Sequence, residues 1–123
     1  MRVSYTIIFV NDMARSVSFY RDVLGHLLKF ESPGWTEFAT EGATVALHKS
    51  DGSNPDDVDT HLEPAGRCRP GLRVPNLEEF HERMVEKNVR CNQEPAEVFG
   101  AKIAQYVDPD GLVFSVGEEP LDG

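Results

Sequence analysis

The chain runs through one order of elements twice, and that recurrence constrains its fold more than any single motif. The stretch Val3–Val10, "VSYTIIFV", is β-branched and aromatic and meets the turn signal "ND", so it reads as a strand. Asp12 then caps a helix whose Met13, Val17, Tyr20 and Leu24 fall at helical spacing, with Val23 beside them and Gly25 as terminator. "LLKFES", "TEFAT" and "TVALHK" follow as strands. The pattern returns with the strand "CRPGLRV" and the helix "PNLEEFHERMVEKNV", in which Leu77, Phe80 and Met84 share a face and Asn76 with Glu79 makes a capping-box-like start. "KIAQYV" and "LVFSVG" are strands around the turn "DPDG". Val10 and Asp12 match Val74 and Asn76, each 64 residues later, and Gly42 matches Gly111, 69 residues later.

Between the two runs lies Lys49–Gly66, rich in Asp, Pro and Gly and without an apolar period. Its aspartates do not have the spacing of an EF-hand loop, so it reads as a solvated linker. The expected organisation is a single α+β domain, 1–123, of two βαβββ modules (1–48 and 67–119) joined by linker 49–66.

A net charge of −9 argues against a nucleic-acid partner, whose phosphates need a basic footprint, and against an anionic membrane surface. No run approaches the roughly 20 apolar residues of a membrane span. Cys68 and Cys91 lack metal-pair spacing and suit a reducing compartment, and no secretory signal is visible. A cytoplasmic protein is the expectation.

The βαβββ order used twice, with V-x-D-x-x-x-S-x-x-F-Y in "YTIIFVNDMARSVSFYRDVLG" and "YVDPDGLVFSVGEE" near the end, resembles the vicinal oxygen chelate superfamily. That superfamily includes glyoxalase I, the extradiol dioxygenases and the bleomycin- and fosfomycin-resistance proteins. The resemblance covers essentially the whole chain. It implies curled half-barrel sheets around a cleft, helices outside, and a homodimer.

It also implies where a metal would be held in metal-dependent members: early in the first strand and in a late strand of each module. Matched motif to motif, those positions carry Tyr5, Arg69, Ala46 and Ser115. Alanine cannot ligate, arginine is a permanent cation, serine is a weak neutral ligand, and a free phenol titrates near 10. The expectation is therefore no metal and no cofactor. His48 shares the parity of Ala46, but one histidine beside Tyr5 does not make a metal site.

Alternation sets the candidate pocket. Tyr5 brings Ile7 and Phe9, Ala46 brings Thr44 and His48, and Arg69 brings Arg73, while Ser115 brings Val113. Trp35 and Phe38 flank the turn into the middle strands and are expected to line it as well, whereas the side taken by Tyr106 stays open. The ligand-binding candidates are thus Tyr5, Ile7, Phe9, Trp35, Phe38, Ala46, His48, Arg69, Arg73 and Ser115. Arg67, Arg69 and Arg73 form a basic stripe in an acidic chain, with Arg67 expected in solvent. Arg69 has two readings: an ion pair with Glu37, Glu41 or another acid, or a bidentate hold on a ligand carboxylate or phosphate. Tyr5 likewise is either a core tyrosine with a satisfied hydroxyl or a ligand contact.

The expected function is binding of a small molecule, aromatic or carboxylate-bearing, without the divalent metal. The alternative is a lyase, isomerase or dioxygenase with an altered site, in which Tyr5 or His48 serves as acid or base and Arg69 holds an oxyanion.

Overall fold

A computed structural model describes residues 1–57 and 59–120; position 58, inside the expected linker, lies outside the described residues. The chain forms two compact units, Ser4–Cys68 and a second made of Met1–Val3 with Arg69–Gly123. The strand β1 (Arg2–Val10) opens the N-terminal unit, and its first residues belong to the C-terminal one. There Arg2 donates through Nε to Glu119 Oε1 at 2.7 Å and through Nη2 to Oε2 at 3.3 Å.

The N-terminal unit continues through helix α1 (Met13–Ser18), a π-helical turn (Phe19–Val23), and strands β2 (Leu27–Phe30), β3 (Trp35–Ala39) and β4 (Thr44–Lys49). Its strands lie in the order β2-β3-β4-β1. Neighbours are antiparallel except β1 and β4, which are parallel. Asp12 caps α1 by accepting the Arg15 amide at 3.1 Å. The helix is shorter than its sequence period implies. Leu24 N donates to Phe19 O, five residues back rather than four, and the wider turn rotates Leu24 out of the buried stripe to 51% exposure. Gly25, at φ +78, then supplies the left-handed residue that ends the element.

The C-terminal unit repeats the topology with β5 (Cys68–Val74), α2 (Leu77–Glu86), β6 (Arg90–Val98), β7 (Ala101–Val107) and β8 (Val113–Glu118). Its order is β5-β8-β7-β6, with β5 parallel to β8. Asn76 caps α2 by accepting the Glu79 amide at 3.1 Å, and Asn88 at φ +58 closes it where the first unit uses Gly25. Strand β6 has no counterpart among the strands read from sequence. It is polar, carries Pro95 and has two register irregularities, features tolerated at the outer edge of a sheet.

Each unit buries an apolar core between its helix and one sheet face. Val10, Met13, Val17, Phe38 and Leu47 form the first; Val74, Leu77, Phe80, Ala104, Tyr106 and Val116 form the second. Tyr106, whose side the sequence left open, packs here with its hydroxyl 2.8 Å from His81 Nδ1. The parallel registers set Ile7 opposite Ala46 and Gly71 opposite Ser115. Gly71 follows Ile7 by 64 residues and Ser115 follows Ala46 by 69, so the backbone reproduces both offsets of the sequence repeat.

Candidate functional site

In the N-terminal unit the candidates gather on the sheet face away from α1. Cross-strand partners share a face, and the register pairs Tyr5 with Thr44, Ile7 with Ala46 and Phe9 with His48 on β1 and β4. On β3, Trp35 faces His48 and Glu37 faces Ala46. Ile7, Phe9 and Ala46 are buried, and half-buried Tyr5 and Trp35 pack against them. The Tyr5 and Trp35 ring centroids lie 6.1 Å apart, Trp35 meets His48 edge-on at 5.9 Å, and Phe9 and His48 are 5.1 Å apart. His48 Nδ1 is 2.7 Å from the Lys49 carbonyl. A carbonyl only accepts, so that nitrogen carries the proton and a neutral ring keeps its lone pair on Nε2.

Phe38 departs from the expectation. It is fully buried on the opposite face, in the helix-side core with Val17 and Leu47. Strand alternation is the reason: Trp35 and Phe38 are an odd number of residues apart, so they cannot line one surface. Glu37, which has the parity of Trp35, stands on the aromatic face in place of Phe38. Its Oε2 accepts the Trp35 indole N–H at 2.8 Å, and Lys29 Nζ approaches its Oε1 at 3.6 Å. The Glu37 side chain is 19% exposed, against 56% for Lys29.

The C-terminal unit presents a polar counterpart on the face away from α2. Arg69, Gly71 and Arg73 alternate along β5, with Gly71 opposite Ser115 and Ser115 opposite Gln105. Arg69 is buried, at 7% exposure. Asn92 Nδ2 donates to Gln105 Oε1 at 2.8 Å, and Asn92 Oδ1 is a buried acceptor without a hydrogen-bond partner. Arg67 belongs to the linker rather than to this stripe. It is half-buried and donates through Nη2 to the carbonyls of Pro55 and Asp57, the latter at 2.9 Å.

The donor set at the four matched positions does not fit the divalent metal of metal-dependent relatives. Ala46 offers no ligand atom, and the Arg69 guanidinium is a fixed positive charge. Among the described residues, no three of His, Cys, Asp and Glu group so as to hold a metal ion. Sequence reasoning passed over Glu37, Asn92 and Gln105 as site residues. The parity of Glu37 with Trp35 was a usable signal, whereas Asn92 lies on the strand that sequence did not reveal.

Two βαβββ units, each with one helix-covered face and one face bearing the candidate side chains, define an α+β protein of the vicinal oxygen chelate class. The Glyoxalase/Bleomycin resistance protein/Dioxygenase superfamily model matches residues 2–116, and the chain belongs to that superfamily. Among solved structures, a glyoxalase/bleomycin resistance protein/dioxygenase superfamily member from Vibrio splendidus 12B01 aligns with a TM-score of 0.67 and 22% identity, covering 96% of this chain and 98% of that one. Methylmalonyl-CoA epimerase from Mycobacterium tuberculosis aligns at 0.70 and 21%, covering 96% and 87%. A Legionella pneumophila structure described as NAD-dependent benzaldehyde dehydrogenase aligns at 0.72 and 19%, covering 94% and 98%. At these identities the likeness is one of fold. No curated protein sequence matches the chain significantly. No helix among the described residues is long and apolar enough to cross a membrane.

Proposed function

We propose that this superfamily member binds a small, largely aromatic or carboxylate-bearing molecule without the family's divalent metal. The observation that carries the reading is the N-terminal unit's second apolar face, where Tyr5, Ile7, Phe9, Trp35 and Ala46 pack together on the side α1 does not cover. Apolar surface with a few placed polar groups is the usual make-up of a ligand site. Taken by itself, the C-terminal unit carries on its own polar face Arg69, whose guanidinium suits a carboxylate, and the Ser115 hydroxyl. A homodimer in the cytoplasm is part of the same proposal.

Two measurements test it. Protein purified without chelator is expected to contain no stoichiometric divalent metal; a bound equivalent would favour the lyase, isomerase or dioxygenase reading. Phenylacetate is expected to raise the melting temperature of the native protein. In Arg69→Ala that rise should vanish while the variant still unfolds cooperatively. An unchanged rise in the variant would show that Arg69 does not hold the carboxylate.

A further inference from the structure

Glu37 is the carboxylate on a face made mostly of aromatic and aliphatic side chains. It stands directly opposite Ala46 on the neighbouring strand, with Trp35 two residues before it. Withdrawing a charge from water is costly unless that charge is compensated. The Glu37 side chain keeps only 19% of its exposure, and its compensation comes from two unlike sources. One is directional and fixed: the indole N–H of Trp35, at 2.8 Å on Oε2. The other is loose: the ammonium of Lys29 stands 3.6 Å from Oε1, beyond ordinary hydrogen-bond length, on a side chain 56% exposed. A counter-ion held that way exchanges readily for another cation. Around it, the half-buried Trp35 ring belongs to an aromatic cluster with Tyr5 and His48, at centroid distances of 6.1 and 5.9 Å, and aromatic faces attract cations.

We infer that Glu37 and the Trp35 ring form a recognition site for an organic ammonium group, with Lys29 as the counter-ion that the ligand displaces. This rests on the reading that the protein binds small molecules, and it assigns a charge class to the N-terminal face. An ammonium carried on a short stem from a flat apolar body matches the arrangement: the body lies against the aromatic wall and the charge replaces the Lys29 amine at Oε1. The strength of the site falls with salt, because its exposed half is screened.

The chain has one tryptophan, Trp35, so indole emission reports from inside the site. Benzylammonium, benzyl alcohol and phenylacetate serve as cationic, neutral and anionic probes of nearly one shape, titrated at fixed ionic strength with indole-selective excitation. Benzylammonium is expected to bind the native protein about tenfold more tightly than benzyl alcohol, as a charge-assisted contact implies. Glu37→Gln keeps an acceptor for the indole N–H, and with it the fold and the native emission maximum, but should abolish the preference. Lys29→Ala should tighten benzylammonium binding severalfold. Equal titration by benzylammonium and benzyl alcohol, or a preference that survives Glu37→Gln, overturns the assignment and leaves phenylacetate binding, and so the proposed function, intact. No response to any probe, by emission or by melting temperature, overturns both.

Discussion

Trp35 and Phe38 lie three residues apart on β3, and that odd separation sends their side chains to opposite faces of the sheet. Phe38 belongs to the helix-side core and Trp35 to the aromatic face. Their substitutions should therefore separate stability from binding. Phe38→Ala is expected to cost about 3–5 kcal/mol in urea unfolding, as for a fully buried aromatic. Trp35→Ala, at a half-buried position, should cost less and should shrink the rise in melting temperature that benzylammonium gives, the readout left once the reporter indole is gone. Tyr106 is an aromatic whose titration bears on stability. Burial pushes its phenol up to about 12, helped by Cys91 and Glu78. A raised folded value favours the neutral phenol, so its stabilising effect is complete below the unfolded value of about 10 and is lost as pH rises through about 12. Thermal melts across that window should fall less steeply for Tyr106→Phe than for the native chain.

The two helices show how local signals survive or fail. Both N-caps stand where Asp12 and Asn76 marked them, because a side-chain acceptor three residues before an amide is a local matter. The length of the first helix is not local. A stripe of apolar residues at α spacing is also satisfied by a helix that widens into a π turn after Ser18, leaving Val23 at 70% exposure. Strand β6 is the element that sequence reading missed. Its hairpin partner β7 is plain, but β6 alternates poorly and depends on ladder hydrogen bonds rather than on apolar burial. The loop between them is two residues long, Phe99 at φ +51 and Gly100 at φ +81, closed by the pair Val98–Ala101. Positive φ at both positions is the geometry that favours Asn-Gly, and phenylalanine is a poor occupant. Phe99→Asn is expected to stabilise the chain by about 1 kcal/mol, read as a higher urea midpoint at unchanged slope. The side chain is fully exposed, so no packing is lost to offset the gain.

At the scale of the molecule, the duplication is the deepest level at which sequence and structure agree. Pairwise identity between the halves is low, yet both parallel strand pairs fall at the residue offsets that the motifs define. The sequence by itself determined the element order apart from β6, the repeat, the helix starts, the family, and which residues of one strand share a face with one another. Those follow from backbone periodicity and from short-range hydrogen bonding, which neighbours along the chain dictate. Tertiary structure decided which face of each strand meets the helix, where the first helix loosens, and that β6 pairs at all. It also brought Glu37 beside Trp35 on the face of Ala46, and set Asn92 against Gln105. Alternation leaves the absolute facing of a strand undetermined; only the register with its neighbours, set by long-range pairing and by burial against the helix, chooses between the two sides.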